Sequence, residues 1–265
     1  MTQTLPMPAL FVGHGTPMNA LEHNRYTDAW QSFAEAMPRP RAILAISAHW
    51  FINATAITAM AAPKTIHDFF GFPEALFAVR YPAPGDPELA EEIIDLVEPT
   101  WVGRDLDSWG LDHGTWSVLL HMFPDADVPV LQLSIDASKP LEYHVAFGAQ
   151  LAALRQQGVF ILGSGNVVHN LGILEWDKPD VGFDWAHGFN ETAKALMMTN
   201  PDRITELRNH DHYRLAVPTP DHFLPLLYIA GLASAAGRGA EVLVDGYAMG
   251  SLSMTSYALA APRPV

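Results

Sequence analysis

The stretch Gly158–Asn170, GVFILGSGNVVHN, joins a buried-strand pattern to a glycine-rich loop that ends in a histidine. The continuous apolar run Val159–Leu162 is typical of a strand that is covered on both faces of a parallel sheet. Gly163 and Gly165 supply part of a phosphate-binding loop, but such a loop usually also needs a lysine. Because the stretch contains no lysine, the nucleotide interpretation is weak, and His169 becomes the residue of interest.

Working outward from this stretch, the rest of the chain alternates between strand-like and helix-like patterns. Three further apolar runs predict buried strands, namely Ala9–Val12, Ala42–Ser47 and Val128–Ile135. Helical periodicity occurs in Thr27–Met37, Asp86–Val97, Leu141–Gln157, Asp184–Thr199 and Pro220–Ala233. Two late segments alternate like strands, Glu241–Asp245 and Ser251–Ala258. We therefore predict a single α/β domain over residues 1–265, with a central, mostly parallel, mixed sheet flanked by helices.

The composition excludes several classes of partner. A formal net charge of −14 argues against nucleic acid, which requires a basic surface. The chain lacks a dense Lys/Arg cluster and an apolar run of about 20 residues, so we expect no membrane partner. The first residues, MTQTLPMPAL, do not resemble a signal peptide, and the chain has no cysteine, so we expect a cytoplasmic protein. The sequence predicts no particular oligomeric state.

Three of the twelve histidines stand just after predicted strands. His14 follows the first strand, His49 the second, and His169 follows the strand of the opening stretch. Ligands of open α/β sheets bind beyond the carboxyl ends of the strands, and imidazole is a common metal ligand. We therefore predict a metal cleft at this edge of the sheet.

Three other histidines have more ambiguous surroundings. His222 falls in a predicted first helical turn, with Thr219 as N-cap and Pro220 at the first helical position. His113 precedes an apolar helical run, and His67 lies in an aromatic loop that suits a substrate lid or a packed turn equally well. The remaining six fit exposed helix or loop positions, namely His23, His121, His144, His187, His210 and His212.

Six short motifs together identify a family. They are GHGTPMN (13–19), SAHW (47–50), TIHDFFGFP (65–73), DHGTWSVL (112–119), SGNVVHN (164–170) and TPDHFLPLLY (219–228). In this order and spacing, from about Pro8 to about Tyr257, the chain resembles the class III extradiol ring-cleavage dioxygenases, in particular the 4,5-DOPA extradiol dioxygenase-like group. The resemblance implies a metal-dependent enzyme that opens a catechol-type, DOPA-like ring with O₂ to give a semialdehyde.

The resemblance also implies roles for individual histidines. His14, His49 and His222 match metal ligands. His169 matches an acid/base residue that could also ligate the metal, and these two roles remain open. His113 matches a further catalytic histidine near the substrate.

The implied partners are a small aromatic substrate and O₂, and the implied cofactor is one divalent metal ion per chain. Candidate walls for the aromatic ring are His67, Trp50, Phe69 and Phe72. Oxygen-activating non-haem Fe(II) is usually held by two histidines and a carboxylate, whereas a three-histidine set also suits Zn(II). We therefore expect Fe(II) for activity and Zn(II) as the ion found on purification. Two alternatives stay open: a zinc hydrolase built on the same cleft, and a non-catalytic protein that binds a metal or peptide.

Overall fold

The computed structural model describes residues 5–260, and within them an eight-stranded sheet and a separate two-stranded hairpin. The strands in chain order are β1 (Ala9–Gly13), β2 (Ala42–Ile52), β3 (Ala56–Thr58), β4 (Gly103–Asp105), β5 (Val130–Asp136), β6 (Val159–Gly165), β7 (Glu241–Val244), β8 (Tyr247–Ala248), β9 (Leu252–Ser253) and β10 (Ser256–Leu259). Strands β8 and β9 form the hairpin. The outermost residues of the predicted 1–265 domain lie outside the described part of the chain.

The sheet has the order β4-β3-β5-β2-β6-β1-β10-β7. Its four central strands, β5, β2, β6 and β1, are parallel to one another. Antiparallel pairing begins on both sides of this group, between β1 and β10 and between β5 and β3. The prediction of a mostly parallel, mixed sheet is therefore confirmed, and the carboxyl ends of β1, β2 and β6 meet at one edge.

Helices cover both faces of the sheet. In chain order they are α1 (Arg25–Ala36), α2 (Glu74–Phe77), α3 (Pro87–Leu96), α4 (His113–Met122), α5 (Leu141–Gln150), α6 (Ala152–Gln156), α7 (Asp184–Thr199), α8 (Tyr213–Ala216) and α9 (Leu224–Ala235). Three 3₁₀ segments add to them, Pro17–Ala20, Leu171–Ile173 and Pro201–Asn209. No helix within residues 5–260 has the length and apolar character that a membrane crossing requires.

Side-chain alternation along the central strands builds two cores. In β1, Ala9 and Phe11 belong to the core beneath α5, α7 and α9, while Leu10 and Val12 belong to the core beneath α1 and α4. Strands that are buried on both faces must be apolar at every position, which is why the sequence shows continuous apolar runs there. The result is a three-layer α/β/α arrangement.

Several predicted boundaries are wrong, and each error has a local cause. Strand β2 does not end at Ser47, because pairing with β5 resumes at Phe51 after an irregularity in the register. The predicted helix over 141–157 divides at Leu151, whose N–H is shared between two carbonyls. Helix α9 begins at Leu224 and not at Pro220, because the His222 carbonyl accepts the N–H of Asn166 at 2.8 Å. The sequence also gave no sign of β3 and β4.

The prediction that His144 is exposed is also wrong. This histidine is fully buried in α5, and its Nδ1 lies 3.0 Å from the hydroxyl of Tyr228 in α9. Burial lowers the pKa of His144 to about 4, so the ring is neutral at pH 7. The buried side of α5 therefore runs through His144, Phe147 and Gly148.

Helices α5 and α9 approach so closely that only glycine fits at their contact. A Cβ added to Gly231 would lie 2.0 Å from the carbonyl oxygen of Val145, and one added to Gly148 would lie 2.2 Å from that of Tyr228. These distances are far inside van der Waals contact. Both glycines therefore set the distance between the two helices.

The Gly231→Ala variant should lower the free energy of unfolding by about 3 kcal/mol, the upper range of overpacking costs, because the helix backbones must separate. Gly188→Ala is the matched control, since a Cβ in that exposed position of α7 meets nothing within 4 Å. Alanine should stabilise α7 there by up to about 1 kcal/mol. Urea unfolding measures both variants, and equal stability of the two would contradict the packing argument.

Candidate metal centre

Five histidines converge at the carboxyl edge of the central strands. The ring centres of His14, His49 and His222 lie 5.0–5.3 Å from one another. The ring of His113 lies 3.9 Å from that of His49, and the ring of His169 stacks on that of His222 at 3.5 Å. All five side chains are buried or half-buried. The structure thus brings together every histidine that sequence analysis assigned to the metal or to catalysis.

These five side chains belong to five different segments of the backbone. His14 directly follows β1, and His49 lies in the irregular part of β2, where pairing with β6 has ended. His113 is the first residue of α4, His169 follows the loop after β6, and His222 lies in the turn before α9. Three of the segments come from parallel strands, which explains why the histidines share one edge.

The glycines of the opening stretch permit a close backbone crossing under the site. A Cβ on Gly165 would lie 2.2 Å from the carbonyl oxygen of His222, and one on Gly163 would lie 2.8 Å from that of Pro225. The N–H of Asn166 donates to the same His222 carbonyl at 2.8 Å. The glycines therefore allow the loop after β6 to fix the turn that carries His222.

A third glycine brings α4 against the site. A Cβ on Gly114 would lie 2.5 Å from Oγ of Ser47 and 2.8 Å from Cδ2 of His49. The carbonyl of Gly114 accepts the hydroxyl of Ser164 at 2.5 Å. The start of α4 is thus packed directly on the rings of the cluster.

His14 and His49 face each other through their Nε2 atoms, which are 3.3 Å apart. Nδ1 of His14 lies 2.9 Å from Oγ of Ser164, and this hydroxyl already donates to Gly114, so the imidazole must be the donor. Nδ1 of His49 lies 3.2 Å from a carboxylate oxygen of Asp68, which can only accept. A neutral imidazole that donates from Nδ1 has a lone pair on Nε2. Two lone pairs therefore point into the same small space.

This arrangement fits a metal ion. Two lone pairs at 3.3 Å repel unless a cation lies between them. Two metal–nitrogen bonds of about 2.0–2.1 Å at a tetrahedral angle separate their nitrogens by roughly 3.3 Å. Metal-ligating histidines commonly donate their other nitrogen to a carboxylate or similar acceptor, as both do here.

The potential ligand atoms fall into two adjoining groups. Those of His14, His49 and His113 lie within 4.8 Å of one another, and so do those of His169, Asp221 and His222. The predicted ligands His14, His49 and His222 are thus divided between the two groups, while their rings remain in contact range. Within residues 5–260, both groups stand at the same edge of the sheet.

Two carboxylates support the cluster from outside. Asp221 accepts a short hydrogen bond from Nδ1 of His222. Asp68 is bonded to His113 and lies beside His49. Sequence analysis missed Asp68, although it stands beside His67 in the motif TIHDFFGFP. Its residue type could have pointed to Asp68, since a carboxylate is a usual hydrogen-bond partner of a metal-ligating histidine.

Burial dominates the electrostatics of the site. It lowers the pKa of His14 well below its ordinary value, and the neighbouring His49 adds to this effect. Burial, assisted by His222, lowers the pKa of His169 to about 2, and burial lowers that of His222 to about 4 despite Asp221. For His49 burial is the largest effect and acts in the same direction, but the bond to Asp68 and the charges of Asp112, Asp68 and Asp221 together outweigh it and raise the pKa. The cluster therefore consists mainly of neutral imidazoles, the form that ligates metals.

The four predicted ring-binding residues take up different positions. The ring of Phe69 lies 5.4 Å from that of His113, and Phe72 packs 5.4 Å from Phe69. His67 lies 5.8 Å from Phe69 and has Nε2 3.0 Å from the carbonyl of Val79. These three thus form an aromatic wall beside His113.

Trp50 packs against a different aromatic residue. Its ring stacks on Trp109 at 5.8 Å with nearly parallel planes, and it is buried.

A cavity of about 810 Å³ lies beside the segment that follows His14, and none of the five histidines lines it. Thr16, two residues after His14, lines it together with Asn19, whose amide donates to the His14 carbonyl at 2.8 Å. Its wall combines apolar side chains with charged ones of both signs, and includes Arg25, Trp176 and Asp180. The cavity is large enough for the substituent of a small aromatic molecule.

Comparison with known proteins gives a consistent result. The family described as "Catalytic LigB subunit of aromatic ring-opening dioxygenase" matches residues 8–260. A relative named 4,5-DOPA dioxygenase extradiol from Escherichia coli (strain K12) is 50% identical over 257 residues, covering 94% of this chain and 93% of the relative. A protein of the same name from Beta vulgaris is 34% identical, with 93% and 94% covered.

The fold has a counterpart among solved structures. A crystal structure of an uncharacterized protein from Escherichia coli K12 superimposes with a TM-score of 0.83 at 44% identity. The match covers 95% of this chain and 99% of that one.

Proposed function

The chain belongs to the family of the catalytic LigB subunit of aromatic ring-opening dioxygenases, and from this premise we propose that it is a metal-dependent extradiol dioxygenase of a catechol-type, DOPA-like substrate. One observation carries the metal dependence. The Nε2 atoms of His14 and His49 face each other at 3.3 Å with both Nδ1 atoms engaged elsewhere. A divalent metal ion between the two nitrogens would accept both lone pairs, and this geometry supports the proposal.

We propose His14, His49 and His222 as the ligands of one metal ion per chain. Fe(II) is the ion proposed for activity, because it can hold both catechol oxygens and O₂ at open positions. Zn(II) is proposed as the ion found on purification, since it favours nitrogen ligands and has no redox chemistry. The histidine ligands suit either ion. The fraction of the protein that carries Fe(II) would therefore determine the dioxygenase activity.

The substrate class is supported by the surroundings of the cluster and by the names of the relatives. Phe69 offers an aromatic face beside His113, and such rings favour stacked or edge-to-face partners. The cavity beside the segment that follows His14, which Arg25 and Asp180 line, has space for a polar substituent. A catechol with a polar side chain, such as DOPA, fits both features.

His169 is proposed as the group that moves a proton during ring opening. It stacks on His222, and its backbone N–H donates to the Ala216 carbonyl at 2.8 Å, so the ring is held in place. A neutral imidazole there can accept a proton from a catechol hydroxyl and return it at a later step. Changing His169 to Gln distinguishes this acid/base role from the alternative role of His169 as a fourth metal ligand.

The first experiment measures oxygen consumption. Protein that is loaded anaerobically with Fe(II) should consume O₂ when given DOPA and form a yellow semialdehyde, whereas the Zn(II)-loaded form should be nearly inactive. An oxygen electrode with a series of catechols measures both forms of the same preparation. Equal rates for the iron and zinc forms would contradict the proposed redox role of the metal.

The second experiment changes His169 to Gln, which keeps a hydrogen-bonding side chain of similar size but cannot transfer a proton. We expect kcat to fall by about 10²–10⁴, the usual contribution of general acid–base catalysis, with metal affinity unchanged. The matched control is His23→Gln, an exposed position outside the cluster. Loss of metal affinity together with activity would assign His169 to the ligands, and normal turnover would remove it from the mechanism.

A further inference from the structure

Asp68 uses both of its carboxylate oxygens on the histidine cluster. Oδ1 lies 2.9 Å from Nδ1 of His113 and accepts the backbone N–H of the same residue at 3.0 Å. Oδ2 lies 3.2 Å from Nδ1 of His49. The carboxylate therefore bridges two imidazoles that come from β2 and from the start of α4.

The bridge determines where the protons of both rings lie. An ionised carboxylate has no hydrogen to donate, so each Nδ1 must carry the proton that it shares with Asp68. In a neutral imidazole the other nitrogen is then an acceptor with a free lone pair. Asp68 thus selects the same tautomer in His49 and His113.

The segment that carries Asp68 is itself fixed to α4. The N–H of Ile66 donates to the carbonyl of Leu111 at 2.7 Å, and the Leu111 N–H donates to that of Lys64 at 2.8 Å. The indole N–H of Trp116 donates to the carbonyl of Ile66 at 2.8 Å. These three bonds hold the backbone on the N-terminal side of Asp68, so the carboxylate has a defined position relative to His113.

We propose that Asp68 is a positioning residue of the dioxygenase, which fixes the Nδ1–H tautomer of His49 and His113 together. His49 then presents a lone pair to the metal ion, and His113 retains an acceptor nitrogen for a substrate hydroxyl. The inference rests on the proposed function in taking His49 as a metal ligand and His113 as a residue near the substrate. Asp68 would thus influence the binding of both metal and substrate through these two histidines, without touching either.

The decisive variant is Asp68→Asn, which is nearly equal in size. An amide can accept from only one of the two Nδ1–H groups, and its NH₂ group must donate to the other Nδ1. Because the backbone N–H of His113 needs the oxygen at the Oδ1 position, the NH₂ group faces His49. The His49 ring must then move its proton to Nε2, where the lone pair is lost. We therefore expect Zn(II) affinity to fall 10- to 100-fold, the usual effect of removing such an outer partner of a ligand.

Two measurements on the full-length protein test this expectation. Competition with a chromophoric chelator gives the Zn(II) dissociation constant. Long-range ¹H–¹⁵N spectra of ring-labelled, zinc-free protein at mildly alkaline pH report which ring nitrogen carries each proton. The wild type should show two Nδ1–H rings that become one Nδ1–H and one Nε2–H ring in Asp68→Asn.

Two further variants separate positioning from general structural support. Asp136→Asn removes another buried carboxylate, whose partners are the N–H and hydroxyl of Ser138 at 3.0 and 2.6 Å, and should change neither measurement. Asp68→Glu keeps two acceptor oxygens and should keep both tautomers, with Zn(II) affinity closer to the wild type than that of Asp68→Asn. This conservative variant also keeps the test valid if Asp68→Asn does not fold.

The proposal is overturned if Asp68→Asn binds Zn(II) as tightly as the wild type, or if its affinity falls while both rings remain Nδ1–H. It is equally overturned if Asp68→Glu folds and shows a switched tautomer. None of these readouts depends on oxygen consumption. Failure of the proposed function would instead appear as inactive Fe(II) protein with full metal occupancy and unchanged tautomers.

Discussion

Two imidazole lone pairs directed at one another, on His14 and His49, are the interaction on which the site depends. Their Nε2 atoms are 3.3 Å apart, a separation at which one metal ion could bind both nitrogens. The parallel register of β1, β6 and β2 places the two residues at the same edge of the sheet. Because Ser164 at the end of β6 and Asp68 occupy the opposite nitrogens, neither ring can relieve the repulsion by moving its proton.

The environment of the cluster favours neutral rings on the inside and carboxylates on the outside. Burial depresses the pKa of His14, His113, His169 and His222. The ionised partners Asp68 and Asp221 lie on the Nδ1 side of their histidines, where they orient the rings without occupying a metal position. This division would allow the proposed three-histidine centre to keep negative charge nearby, as a two-histidine, one-carboxylate centre does among its ligands.

The strands that are buried on both faces of the sheet could be predicted from the sequence. Continuous apolar runs identified β1, β2, β5 and β6, because a strand between two helical layers has no solvent-facing position. Strands β3 and β4 have three residues each, too few to establish any period, and they were missed. His144 was misplaced because a polar residue on a helix is normally exposed, and only the contact with Tyr228 explains its burial.

In the candidate site, the histidines were predicted from the sequence but Asp68 was not. His14, His49 and His169 could be located because each follows a recognisable strand, and the family motifs added His113 and His222. Asp68 could not be assigned from periodicity, since it acts on His113 from 45 residues away in the chain. Its role follows from the pairing of Ile66 with Leu111, which exists only in three dimensions.

Anomalous diffraction at the iron edge, from crystals grown anaerobically with Fe(II), tests the central claim most directly. The account predicts a single strong peak per chain between His14 and His49, about 2.0–2.2 Å from both Nε2 atoms. It also predicts that the nearest ring nitrogen beyond these two belongs to His222. A fully loaded protein whose peak lies elsewhere, or whose His14 and His49 rings turn away from the ion, would contradict the account.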